Sequence, residues 1–102
     1  MNTPDFIYIA GKKVRIVIDS DYCSIHHVYG ECHYGDNKII ISKISDSFSQ
    51  DLQYQTLVHE IIHFINGILR RNETDIDRED YVNPLSGLLY QVLKQINLKE
   101  AA

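Results

Sequence analysis

The chain has 102 residues, room for one hydrophobic core but not two, so it reads as a single domain over 1–102. An apolar fraction of 44% with 24% charged residues excludes a disordered chain, and the most apolar run, Ile61 to Leu69, is broken by His63, Asn66 and Gly67 before it could span a bilayer. With 14 acidic against 10 basic residues, a net charge of −4, and no basic run longer than Lys12-Lys13 or Arg70-Arg71, neither nucleic acid nor a membrane is expected as a partner.

Met1-Asn2-Thr3-Pro4-Asp5 has neither the basic start nor the apolar core of an export signal, which points to the cytoplasm. There Cys23 and Cys32 are by default thiols or metal ligands rather than a bridge. Strands come first along the chain. Phe6 to Ile9 and Lys13 to Ile18 are short β-branched and aromatic runs around Ala10-Gly11-Lys12, the spacing of a hairpin. Asp19 to Val28 has no clear period and reads as a loop. Gly30 to Tyr34 and Lys38 to Ser42 flank Gly35-Asp36-Asn37 in a second strand pair.

From Ser47 the period changes. Tyr54, Leu57, Val58, Ile61, Ile62, Ile65 and Leu69 fall on one face of a helix from about Ser49 to Leu69, with Ser47 and Gln50 as a possible capping box and Arg70-Arg71 suited to its carboxyl end. A polar, acidic connection, Asn72 to Asp77, leads to a second helix marked by Val82, Leu85, Leu89, Val92 and Ile96. Pro84 complicates the start of that helix, since proline is comfortable only in a first turn. The expected fold is α+β: a small twisted, mainly antiparallel sheet of three to four strands, followed by two packed helices.

The chemistry is concentrated in His59-Glu60-Ile61-Ile62-His63, an HExxH pattern on the first of these helices. Residues four apart lie one turn above each other, so two imidazoles converge on one ion, while Glu60 is offset toward a water beside it. Shuffling this composition would produce the pattern in roughly one sequence in a hundred. The bland reading, two half-buried histidines and a surface glutamate, is weakened by the apolar residues Val58, Ile61, Ile62 and Ile65 around the motif. Two neutral nitrogen ligands and a carboxylate base are the working parts of a zinc-dependent peptidase.

A catalytic zinc site needs a third protein ligand. The route in which a histidine follows six residues after the second one is closed, because that position is Leu69. Glu73, Asp75, Asp77, Glu79 and Asp80 remain, with His26, His27 and His33 upstream. Extending the stripe of the second helix backward by three residues lands on Glu79, which would face the first helix, with Asn83 one turn on; Asp75 and Asp80 are the nearest alternatives. A second cluster, Cys23, His26, His27, Cys32 and His33, makes a poor zinc site, since strand alternation puts Cys32 and His33 on opposite faces.

The two strand pairs, the run from Gln55 to His63, and Glu79 followed by Leu85 to Leu93 resemble the small phage and prophage-type zincin-like metallopeptidases, a group related to the ImmA/IrrE and SprT-like groups. Val28 to Tyr34 ahead of Ile39-Ile40-Ile41 resembles their strand pair before the active helix, and the similarity spans about Phe6 to Ile96. The resemblance implies a minimal zincin-like domain with zinc as cofactor, His59, His63 and Glu79 as ligands and Glu60 as general base. It also implies a protein or peptide substrate held along a rim strand of Gly30, Glu31, Cys32, His33 and Tyr34. The expected activity is hydrolysis of a peptide bond by a metal-activated water. The rival expectation is a non-catalytic, metal-stabilised interaction or regulatory module of phage origin, which would need the ligands but no base.

Overall fold

Ala10 and Gly11 both adopt positive φ, 51° and 77°, the twist that a two-residue hairpin turn requires. They join β1 (Phe6–Ile9) to β2 (Lys12–Ile18) in antiparallel register, with Phe6 opposite Arg15 and Ile9 opposite Lys12. The computed structural model describes residues 3–70 and 74–101, with side chains through residue 96.

The segment after β2 departs from the expected loop, because it forms a helix, α1 (Ser20–His26). Asp19 caps it by accepting a hydrogen bond from the Tyr22 backbone N–H at 3.0 Å, and His27 closes it in the left-handed region, its N–H reaching the carbonyls of Cys23 and Ser24. Only Cys23 of its seven residues is buried, so the helix leaves no apolar period in the sequence. α1 carries the chain across to β3 (Gly30–His33), which returns through a 3₁₀ turn, Tyr34–Asp36, into β4 (Lys38–Ile41).

The sheet order is β1-β2-β4-β3. Two pairings are antiparallel, as expected, while β2 and β4 run parallel at the centre with Ile16 opposite Ile39. β4 explains its own position: Ile39, Ile40 and Ile41 are all buried, the unbroken apolar run of a strand covered on both faces. β3 is left as an edge.

α2 (Gln50–Ile68) starts one residue later than its expected boundary and ends one residue earlier. Its cap is Ser49, whose hydroxyl accepts from the Leu52 N–H, and not the Ser47–Gln50 box; Ser47 instead lies against Ser45. One face, with Leu57 and Phe64, packs on Val14, Ile16, Ile39 and Ile41 of the sheet; the other, with Tyr54, Val58 and Ile62, packs on Val82 and Tyr90 of the next helix. Being sandwiched between layers explains why α2 carries apolar residues over so wide an arc. Ile65 and Leu69, expected on its buried face, are exposed.

β3 meets α2 at very close range because Gly30 has no side chain. A Cβ there would stand 2.6 Å from the Thr56 Cγ2 and 3.3 Å from the Glu60 Cγ. Below, a 3₁₀ turn, Asp75–Asp77, leads into α3 (Glu79–Ala101). The face of α3 that packs on α2 is Val82, Ser86 and Tyr90 with Leu85 beside it, so the expected stripe holds at Val82 and Leu85 and turns outward beyond them, leaving Leu89, Val92 and Ile96 exposed. Pro84 sits inside α3, past its first turn. It has no N–H to give the Asp80 carbonyl, and because Asp80 is exposed, water can take that place at little cost. No helix among the described residues is long and apolar enough to cross a membrane.

Candidate metal centre

Residues 59 and 63 lie one turn apart on α2, and α3 begins directly opposite them. The Nε2 atoms of His59 and His63 are 3.2 Å apart. Glu79, the first residue of α3, places one carboxylate oxygen 3.0 Å from the His59 Nε2 and the other 2.7 Å from the His63 Nε2. The helix start supplies the geometry: backbone N–H groups of Tyr81 and Val82 both bond the Arg78 carbonyl, which fixes the first turn and turns residue 79 toward α2.

The polar atoms behind the imidazoles are as ordered as those in front. His63 Nδ1 lies 2.6 Å from Asp77 Oδ1, and Asn66, buried three residues after His63, donates to the same oxygen and to the Ile76 carbonyl at 3.0 Å each. Asn66 therefore ties the 3₁₀ turn to α2 while Asp77 orients the ring, presenting its Nε2 forward. Asn83 hydrogen-bonds His59.

This donor set suits a metal ion. When Asp77 accepts the Nδ1–H of a neutral His63, the Nε2 is a bare acceptor 2.7 Å from a carboxylate oxygen, an opposition that a metal cation between the two relieves, as a proton on the ring would. An ion about 2.0 Å from each donor in a tetrahedral site sets its donors roughly 3.3 Å apart, near the separations observed. His59, His63 and Glu79 are the group among the described residues whose donor atoms converge, all within 4.8 Å of one another. Two imidazoles with one carboxylate are a zinc-type set that leaves a fourth position open.

Electrostatics separate the roles further. Burial pulls the His59 ring below its ordinary pKa, with His63 adding to the effect and Glu79 opposing it. Burial pulls on His63 as well, but its hydrogen bonds to Asp77 and Glu79 prevail and the net shift is upward. Glu60 is only 7% exposed, and burial pushes its carboxyl up to about 7; His63 works against the rise, while Glu79, Glu31 and Asp77 add to it.

A cavity of about 420 Å³ opens beside the three donors, and Glu60 lines it together with Gly30, Glu31 and Thr56. Of the expected rim, Gly30 and Glu31 border this cavity. Cys32 points the other way and packs against the core between sheet and α2. His33 bonds Glu31 and Tyr22, and Tyr34 lies over Gly67 and edge-on to Phe64.

The other candidate ligands stand apart from the three donors. Asp80 pairs with Arg78 at the surface, Asp75 is exposed, His26 stacks on Tyr22 and His27 is exposed at the end of α1. Glu73 lies outside the described residues. Asp77, weighed as a ligand, stands behind His63 rather than in front. Its role escapes sequence reading because nothing in the spacing distinguishes a carboxylate before a ring from one behind it. The one sequence signal that could have raised it is Asn66, a polar residue on the same helix face as His63.

Comparison with protein-family models, with curated proteins and with solved structures finds no match to the chain.

Proposed function

We propose that this chain is a small zinc-dependent metallopeptidase of the zincin-like kind, with His59, His63 and Glu79 as ligands and Glu60 as general base. The observation that carries the proposal is Glu60. A buried carboxyl that takes no hydrogen bond from a described side chain, and that opens onto the same cavity as three converging metal donors, has no structural task there. A purely structural site would need the ligands and not this residue.

Bound zinc would supply Lewis acidity, polarising a scissile carbonyl and acidifying a water beside it. Glu60 takes the proton of the attacking water and returns it to the departing amine nitrogen. Asp77 holds the His63 ring in the tautomer that offers Nε2, and Asn83 steadies His59. The cavity is bordered by Gly30 and Glu31 of the edge strand β3, along which an extended peptide would lie. The phage-type resemblance of the sequence and a cytoplasmic setting belong to the same proposal, the latter supported by two unpaired thiols, Cys23 and Cys32.

Metal analysis and peptide hydrolysis test it together. Wild-type protein should bind about one zinc per chain, and His59→Ala or His63→Ala should lose it. Glu60→Gln should keep the zinc while hydrolysis of an unstructured peptide library falls at least about a hundredfold. Failure of the wild type to take up zinc would overturn the proposal. Zinc binding with no cleavage of any peptide would favour the non-catalytic module instead.

A further inference from the structure

The cavity beside the metal donors is one-sided in charge. Glu31, Glu60 and Glu79 line it, and neither Lys nor Arg does. Under the proposed function, on which this inference rests, Glu79 is engaged by the ion and Glu60 by the reacting water, so Glu31 is the carboxylate of the cavity left to meet a substrate. Its carboxyl is held below its ordinary range, first by the Tyr22 hydroxyl and then, against the effect of burial, by His33.

The hydrogen bonds of Glu31 are also one-sided. The Tyr22 hydroxyl donates to Oε1 at 2.6 Å, and His33 Nε2 approaches the same Oε1 at 2.7 Å. Neither contact reaches Oε2. The carboxylate is thus fixed by one oxygen on an edge strand, with the other left for a ligand at the border of the cavity. Beside it, Tyr29 stacks flat on Phe48, ring centroids 4.8 Å apart, and is 62% exposed. Tyr29, Val28 and Leu52 line the same cavity and supply an apolar ledge next to the charge. An aliphatic stem ending in a cation fits both features, the stem and an aromatic face on one side and a carboxylate at the tip.

We infer that Glu31 is a specificity-determining residue that receives a cationic nitrogen group of the peptide substrate, best matched by a Lys or Arg side chain lying over Tyr29. A bare amino terminus shares the charge but has no stem for the ledge. Acidic side chains are repelled by the Glu31 carboxylate itself.

The test is binding of fluorescein-labelled pentapeptides, identical except for a central Lys, Arg, Gln or Glu and each with a free or acetylated amino terminus, to the zinc-loaded full chain carrying Glu60→Gln. Should that variant fold poorly, the metal-stripped wild-type chain serves, since Glu31 and the ledge are unchanged in it. Lys and Arg peptides should bind about tenfold more tightly than the Gln peptide, acetylated or not, with Glu weakest. Adding Glu31→Gln, which preserves an acceptor for Tyr22, should abolish the difference, and Glu31→Lys should reverse it. Equal binding of Lys, Gln and Glu peptides, binding of none, or a preference that survives Glu31→Gln overturns the inference. So does a preference that follows the free amino terminus alone. Cleavage by wild type without charge preference would sink this inference and leave the peptidase standing, whereas charge-selective binding without cleavage would do the reverse.

Discussion

Asp77 is the residue on which the geometry of the metal donors turns. Its carboxylate takes the Nδ1 side of His63 at 2.6 Å and is itself held by Asn66, so the ring is fixed from behind before any ion approaches from the front. Partners of this kind usually account for a 10- to 100-fold share of metal affinity. Asp77→Ala should accordingly weaken zinc binding by about that factor, as read by competition with a chromogenic chelator, while the far-ultraviolet dichroism stays that of the wild type. The two cysteines form the opposite case. Cys32 is pushed up to about 12, first by burial and then by the negative field of Glu60 and Asp77, and Cys23 is raised by burial first and then by Asp19. A thiol whose pKa is raised carries less thiolate at any given pH, and thiolate is the reactive form. Native protein at pH 8 should therefore react with a thiol-disulfide reagent far more slowly than the same protein in denaturant; rapid reaction of both cysteines in the native state would show that this packing is wrong.

At the level of elements, the contact that sets β3 against Glu60 is the approach of β3 to α2 across Gly30. A methyl group there would meet the Thr56 Cγ2 at 2.6 Å, closer than carbon atoms tolerate, and the branched threonine cannot rotate away cheaply. Gly30→Ala should cost about 1–3 kcal/mol by overpacking, or several degrees in Tm for a chain of this length. Thr56→Ser removes the offending methyl, so the double variant should recover most of the loss in a thermal melt; no recovery would place the strain elsewhere. The strands, the long helix and the HExxH donors were legible in the sequence because each follows a short-range rule: alternation, a turn residue, a spacing of four. α1 was hidden because a surface helix with one buried residue has no period. The packing face of α3 was legible at Val82 and Leu85 but not beyond, because it continues through a serine and a tyrosine, Ser86 and Tyr90, whereas the more apolar Leu89, Val92 and Ile96 turn outward. Glu79 could be placed all the same, since it needed only the start of α3 to lie opposite α2.

Across the whole molecule, α2 is the plate to which everything else is fixed, with the sheet on one side and α3 on the other. The α2–α3 interface is closed at two ends. At one end Tyr90 donates to Asp51 at 2.6 Å and Lys94 pairs with the same carboxylate at 3.3 Å; at the other stand His59, His63 and Glu79. Tyr54, Val58, Ile62 and Val82 fill the space between. That end is electrostatically awkward around a neutral His63, with two carboxylates converging on it, so a dication there would relieve repulsion and cross-link two helices that the chain joins only through the acidic connection and the turn at Asp75–Asp77. Binding that favours the folded state stabilises it by RT ln(1 + [L]/Kd), about 4 kcal/mol when free zinc is a thousandfold above Kd. Removing metal with a chelator should therefore lower Tm markedly and reversibly in the wild type, and leave His63→Ala unaffected. The loss should also be uneven. Amide exchange should quicken most around Thr74 to Val82, where the chain is held to α2 by Asn66, Asp77 and Glu79, and least in β4, whose isoleucines are buried independently of the ion. A uniform rise in exchange, or a Tm indifferent to chelator, would mean that the three donors do not act as a clasp between the helices.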